Sequence, residues 1–132
     1  PSCVFPQVCK NLDTDPSKMT DLYRSVAAHP KVKKAFVGSG LRYDLMFNPR
    51  SLHPKKDEEY VEQLITHHVS GRLKVAPEHT EDHVLKLMRK PSFEYFKIFK
   101  KRFDEVSKKK GIKQEIIPYF ISSHPGCKPE DM

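Results

Sequence analysis

The sequence predicts an α/β fold with about three parallel strands and flanking helices, an arc of a larger barrel or open sheet. Three observations lead there. Apolar residues recur at helical spacing over residues 17–28, 57–68 and 92–110. Short apolar runs at 34–38, 72–76 and 114–122 alternate with those helices. Strands separated by helices of this length need crossover connections, which give parallel sheets.

The elements follow in order. Residues 1–18 form an irregular, cysteine-containing segment, broken by Pro1, Pro6, Asn11 and Pro16; residues 19–132 hold the βα units. Met19, Leu22, Tyr23 and Val26 set the stripe of a first helix, which Pro30 ends. Lys34 to Gly38 reads as a short buried strand. Residues 45–57, with Asn48, Pro49 and Pro54, read as a loop. Asp57 is placed to cap the next helix, whose stripe is Val61, Leu64, Ile65 and His68. A strand over 72–76 ends in a polar turn, Pro77-Glu78-His79-Thr80. Thr80 caps a helix over 81–89, with Glu81 and Asp82 at its positive end and Arg89 and Lys90 at its negative end. The last helix spans Ser92 to Lys110, buries Phe96, Phe99, Phe103 and Val106, and closes at Gly111. Strand 114–122 comes last; Pro118 argues against a fully bonded central position, but apolar density outweighs it.

The 132 residues suffice for one domain with a core. No apolar run approaches membrane-spanning length and no signal-peptide pattern opens the chain, so no membrane role is expected. The chain starts at Pro1 without Met, which reads as a piece of a longer polypeptide whose remainder supplies the missing strands. Net charge is +7, gathered in Lys31–Lys34, Lys55-Lys56, Lys97 to Arg102 and Lys108–Lys110. Most of these lie on helix outer faces, a solvated surface. An RNA footprint is the alternative, with no aromatic stacking residues interleaved to favour it. Three cysteines cannot all pair, and with seven histidines and no secretory signal they point to a reducing cytoplasm. Cys3 and Cys9, at C-x5-C spacing, supply at most half of a zinc or iron–sulfur site. Adjacent His67 and His68 point about 100° apart and are poor chelators of one ion.

In a parallel sheet the strand carboxyl ends share an edge, where ligands bind. Three turns therefore converge: Ser39 to Asp44, Pro77 to Thr80 and Ser122 to Gly126. They bring Arg42, Glu78, His79, Ser122 and Ser123 to one edge, a set suited to a polar small molecule. Lys74, alternating with Val75, is placed to point into a barrel interior. Plainer roles stand beside each. Glu78 serves a helix dipole, and His79 is an exposed turn residue. Arg42 pairs locally with Asp44, Ser122 and Ser123 satisfy backbone groups, and Lys74 faces solvent. Nothing forms a nucleophile elbow, P-loop or HExxH, leaving no catalytic residue named.

The ordered words Ser2-Cys-Val-Phe-Pro-Gln-Val-Cys9, Gly38-Ser-Gly-Leu-Arg-Tyr-Asp44, His67-His-Val69, Leu73-Lys-Val-Ala-Pro-Glu-His-Thr80, Met88-Arg-Lys-Pro91 and Ile117-Pro-Tyr-Phe-Ile-Ser-Ser-His-Pro-Gly126 cover nearly the whole chain. In them the sequence resembles the YgiQ-type branch of the radical S-adenosylmethionine (radical SAM) superfamily. The resemblance implies the C-terminal part of a radical SAM core, a partial (β/α) TIM-like barrel. It implies a parent enzyme that binds a [4Fe–4S] cluster and cleaves SAM reductively to a 5′-deoxyadenosyl radical, acting on an unknown substrate. The family's CxxxCxxC loop has no counterpart here, so the isolated segment is expected to hold no cluster and to be inactive alone. By position, Glu78 and then His79 fall to the SAM ribose, Ile121, Ser122 and Ser123 to the adenine, and Arg42 to the carboxylate or substrate. Two rival readings stay open: a non-enzymatic basic α/β module binding RNA, and a different TIM-barrel enzyme on a phosphorylated metabolite, using Arg42 and Lys74.

Overall fold

A computed structural model describes residues 2–131. The architecture is α/β, built on two parallel strands rather than three. The helices are α1 (Ser17–Ala28), α2 (Tyr43–Met46), α3 (Pro54–His67), α4 (Asp82–Leu87) and α5 (Phe93–Lys110), with strands β1 (Arg72–Glu78) and β2 (Glu115–Phe120). A 3-10 turn over Pro129–Asp131 closes the described chain. Residues 2–16 are irregular apart from an isolated bridge between Ser2 and Phe5.

The expected strand over 34–38 does not form. Its backbone is satisfied elsewhere: the Val37 N–H donates to the His68 carbonyl at 2.9 Å, and the Ala35 carbonyl meets His68 Nδ1 at 2.9 Å. Buried His68 thus holds the segment against the end of α3, and Phe36 stays 48 % exposed. Residues 45–57 are not all loop either, since α2 extends to Met46 and α3 starts at Pro54, a residue suited to a first helical position. Asp57 lies inside that first turn, accepting from the Ser51 hydroxyl, while Ser51 Oγ accepts the His53 N–H at 3.0 Å. Asp57 is therefore not the cap: the cap position is His53, whose side chain makes no capping bond, and Asp57 is a buried first-turn residue held by Ser51.

Strand β1 alternates, with Leu73 and Val75 buried and Arg72, Lys74 and Ala76 exposed. Register pairs Leu73 with Ile116, Lys74 with Ile117 and Val75 with Pro118. Paired residues share a face, so Leu73, Val75 and Ile116 face the helices while Lys74 and Ile117 face the other way, and Pro118 opposite Val75 is exposed. The helix-side core is Tyr60, Val61, Leu64 and Ile65 of α3 with Phe96, Phe99, Phe103 and Val106 of α5. Among the described residues the opposite face carries no helix, leaving Lys74 and Tyr119 exposed. Burying Leu73 and Val75 is worth about 1.5–3 kcal/mol each.

The expectations for α1 and for the α4 cap are corrected. In α1 only Thr20 is buried; Met19, Leu22 and Val26 are 45 %, 54 % and 37 % exposed, because only Tyr23 of that stripe reaches the core. Phe120 and Ile121 are about half exposed, since strand β2 has a neighbour on one side only. Helix α4 begins one residue later than a Thr80 cap requires. The Glu81 N–H is taken by His79 Nδ1 at 3.0 Å, which prolongs the turn and makes Glu81 the cap residue. Helix α5 forms as expected: the Ser92 hydroxyl accepts the Glu94 N–H at 3.2 Å, and Gly111 ends it at φ 66°.

Candidate functional site

The strand-end edge is built around Glu78. Strand β1 runs through Pro77 instead of turning there, and an irregularity in register between Val75 and Glu78 precedes Glu78 at φ 71°. A glutamate in left-handed backbone is uncommon and needs surrounding support. Two bonds supply it. Its carbonyl accepts the Ile121 N–H at 2.7 Å, and its carboxylate accepts from Lys90 Nζ at 3.0 Å. The carboxylate is thus fixed at the junction of both strand ends and the α4–α5 connection, with its side chain 16 % exposed.

The first turn reaches the same edge through Tyr43. This side chain is 4 % exposed and stacks on Phe99 with ring centroids 5.5 Å apart. Burial pushes its phenol up to about 12, and the carboxylates of Asp44 and Glu78 add to the shift. Beside it, Arg42 grips Asp44 through two nitrogens, at 2.8 and 2.6 Å. Asp44 is nearly buried, and the bidentate guanidinium offsets the cost of desolvating it. Hydrogen bonding to Asp44 in turn holds the Arg42 guanidinium above its usual range. The plainer reading of Arg42, a local ion pair, describes its geometry, although half of its side chain remains exposed.

The third turn arrives through Cys127, whose Sγ lies 3.4 Å from His79 Nε2. His79 is not the exposed turn residue one reading made it: it is 4 % exposed, its Nδ1 engaged by Glu81 and its Nε2 by the thiol. Burial raises the Cys127 thiol above its usual range, with Asp131 and Glu130 adding to it. The three turns therefore meet, with Ile121, Ser122 and Ser123 exposed beside Glu78. Lys74 stands apart on the open face of the sheet, solvent-exposed. Cys3 is exposed and Cys9 half-buried; the Cys9 N–H donates to the Cys3 carbonyl at 2.7 Å, and all three cysteines are free.

One part of the site has no sequence signal. A groove of about 820 Å³ runs between the segment 4–14, residues 44–52 and the α4–α5 junction. Its rim carries Lys10, Arg50, Lys86 and Lys90, with Phe5 and Tyr95 among its apolar walls. Asp44 and Lys90 line it as well as the strand-end edge, so the two are continuous. Only folding brings segment 4–14 to α5; Arg50 Nη1 holds it through Gln7 Oε1 at 2.8 Å. Along α5, Lys97 pairs with Glu94 and Lys100 with Asp104 on the helix itself, while Arg102 and Lys110 pair across to Glu58 and Glu62 of α3.

Sequence similarity covers this whole assembly. The matching relatives are UPF0313 proteins. One from Bacteroides thetaiotaomicron is 55 % identical over 139 residues, covering 100 % of this chain and 22 % of that protein. One from Porphyromonas gingivalis is 53 % identical over 100 % of this chain and 21 % of its own length. One from Pseudomonas putida is 50 % identical, again over 100 % of this chain but 16 % of its own length. The chain thus spans about a fifth of the curated relatives it matches. No family model matches the chain. No solved structure matches it. Among the described residues no helix is long and apolar enough to cross a membrane.

Proposed function

We propose that this chain contributes the SAM-binding strand ends of a radical SAM enzyme core, within a longer polypeptide that supplies the remaining barrel strands. The observation that carries the reading is the junction at Glu78, where the ends of the two parallel strands meet and Tyr43 and Cys127 come in beside them. The sheet is covered by helices on one face only, as a barrel wall is. The sequence resemblance supports the ligand.

The residues differ in how they suit the two cofactors. Glu78, with its fixed carboxylate, would take the ribose hydroxyls of SAM, with the His79 imidazole buried behind it rather than on the ligand. Exposed Ile121, Ser122 and Ser123 would face the adenine, and Arg42 would face the carboxylate of SAM or the substrate. SAM held there would supply a carbon-centred radical on accepting one electron from the cluster, with methionine leaving. The [4Fe–4S] cluster does not fit the cysteines present: Cys3 and Cys9 share one short segment, and Cys127 lies against His79. A CxxxCxxC loop elsewhere in the polypeptide would have to hold it, and the chain's own residues would bind and orient SAM.

The test is Glu78→Ala in the longer protein, followed by calorimetric titration with SAM. Losing a charge-assisted hydrogen bond of roughly 1.5–3 kcal/mol weakens affinity about 10- to 150-fold. Unchanged affinity with an intact fold leaves Glu78 as a partner of Lys90 alone and refutes the assignment.

A further inference from the structure

Beyond the strand-end edge, a separate cluster joins the start of α4 to the end of the described chain. One ligand atom from each of Glu81, His83 and Asp131 lies within 4.8 Å of the other two. His83 Nε2 and Asp131 Oδ2 are 3.1 Å apart. We propose that Glu81, His83 and Asp131 form a binding site for one divalent zinc-class cation, clamping the C-terminal turn onto the turn that precedes α4.

The donor set argues for that class. One imidazole with two carboxylates suits borderline ions such as Zn²⁺, whereas Ca²⁺ and Mg²⁺ favour oxygen alone. Zinc–nitrogen and zinc–oxygen bonds of about 2.0–2.2 Å place tetrahedral ligands roughly 3.4 Å apart. The His83–Asp131 separation is already close to that. Only Glu81 has to swing, by up to roughly 1.4 Å on the same geometry, and its side chain is exposed and long enough to do so. Asp131 is held in place. Asp131 is 12 % exposed, and its Oδ2 also accepts the Lys128 N–H at 2.8 Å, the outer-shell bond that orients a metal-ligating carboxylate. The Glu81 backbone is fixed by His79 Nδ1. Three protein ligands leave a fourth position for water or another group, so the site is open rather than closed.

The nearest competing donors are Cys127 and His79, which touch each other. Burial and the nearby Asp131 and Glu130 carboxylates raise that thiol above its usual range, which disfavours the thiolate that would ligate.

The experiment is titration of the metal-free 132-residue chain with ZnCl2, by calorimetry and by metal analysis after gel filtration. One zinc per chain is expected. His83→Ala and Asp131→Asn should each weaken it by more than the roughly 10- to 100-fold that outer-shell changes cost, with unchanged far-UV circular dichroism. Cys127→Ser and His67→Ala should leave binding intact. No binding by the unaltered chain, or equal binding by His83→Ala, overturns the proposal. Loss in Cys127→Ser with retention in His83→Ala also overturns it, by moving the ion to the thiol.

Discussion

Phe99→Ala should be the most damaging single truncation in the chain. Phe99 is fully buried at the centre of α5 and touches three other rings, with centroids 5.5 Å from Tyr43, 6.0 Å from Phe47 and 6.2 Å from Phe103. Removing a buried phenylalanine costs about 3–5 kcal/mol through lost transfer energy and the cavity left behind. Each aromatic pair adds roughly 0.5–1.5 kcal/mol beyond area, so the upper part of that range applies. Against a typical domain stability of about 5–15 kcal/mol this is a large share. With a urea dependence of about 2 kcal/mol per molar, the midpoint should fall by roughly 2 M. Ile98→Ala on the same helix is the control. Its side chain is 47 % exposed, and it should cost under about 1 kcal/mol. The assay is urea denaturation followed by far-UV circular dichroism at several protein concentrations. Equal costs for the two variants would refute the placement of Phe99 at the centre of the core.

The chain by itself should self-associate: two strands leave two open edges, and Phe36, Tyr119, Phe120 and Ile121 are each about half exposed. Light scattering over a concentration series measures it, and a monomer with a concentration-independent melt counts against it. Asp57 should make stability fall as pH rises. Burial lifts its folded value above the ordinary 3.8, against the Ser51 hydrogen bond that lowers it. The folded chain then binds the proton more tightly than the unfolded chain, so stability is lost as pH climbs from about 3.8 through the raised value. Asp57→Asn should flatten that slope in denaturation midpoints taken from about pH 4 to about pH 7. A wild-type-minus-variant difference that does not change with pH would remove Asp57 as its source.

The helices were the legible part of this fold. For α3 and α5 the apolar spacing alone marks the buried face, because period and burial are local properties: Val61, Leu64, Ile65 and His68 are buried, as are Phe96, Phe99, Phe103 and Val106. Gly111 and Ser92 likewise mark ends through their own backbone chemistry. What could not be read was pairing. Residues 34–38 look like a strand, yet a strand needs a partner, and His68 takes that segment's hydrogen bonds first. Helix α1 shows the same limit: its stripe is correctly periodic, but periodicity does not say whether anything lies opposite. At the site, the meeting of the turns after β1 and β2 was legible because parallel strands share an edge, whereas the segment 39–44 arrives without a strand before it. The Glu78–Lys90 bond, the left-handed backbone at Glu78 and the groove behind segment 4–14 arise from approach of distant segments and leave no local signature.

The alternation along β1 also divides the mutational freedom of the sheet. Leu73 and Val75 are committed to the helices, so changing either disturbs the core before it changes anything a ligand would meet. Lys74 and Ala76, one residue away on each side, carry no such obligation. A lineage carrying this strand can therefore vary what the open face presents, in charge, bulk or hydrogen bonding, at little thermodynamic risk. Selection for a new ligand would write itself into every second residue, leaving the intervening ones to preserve the fold.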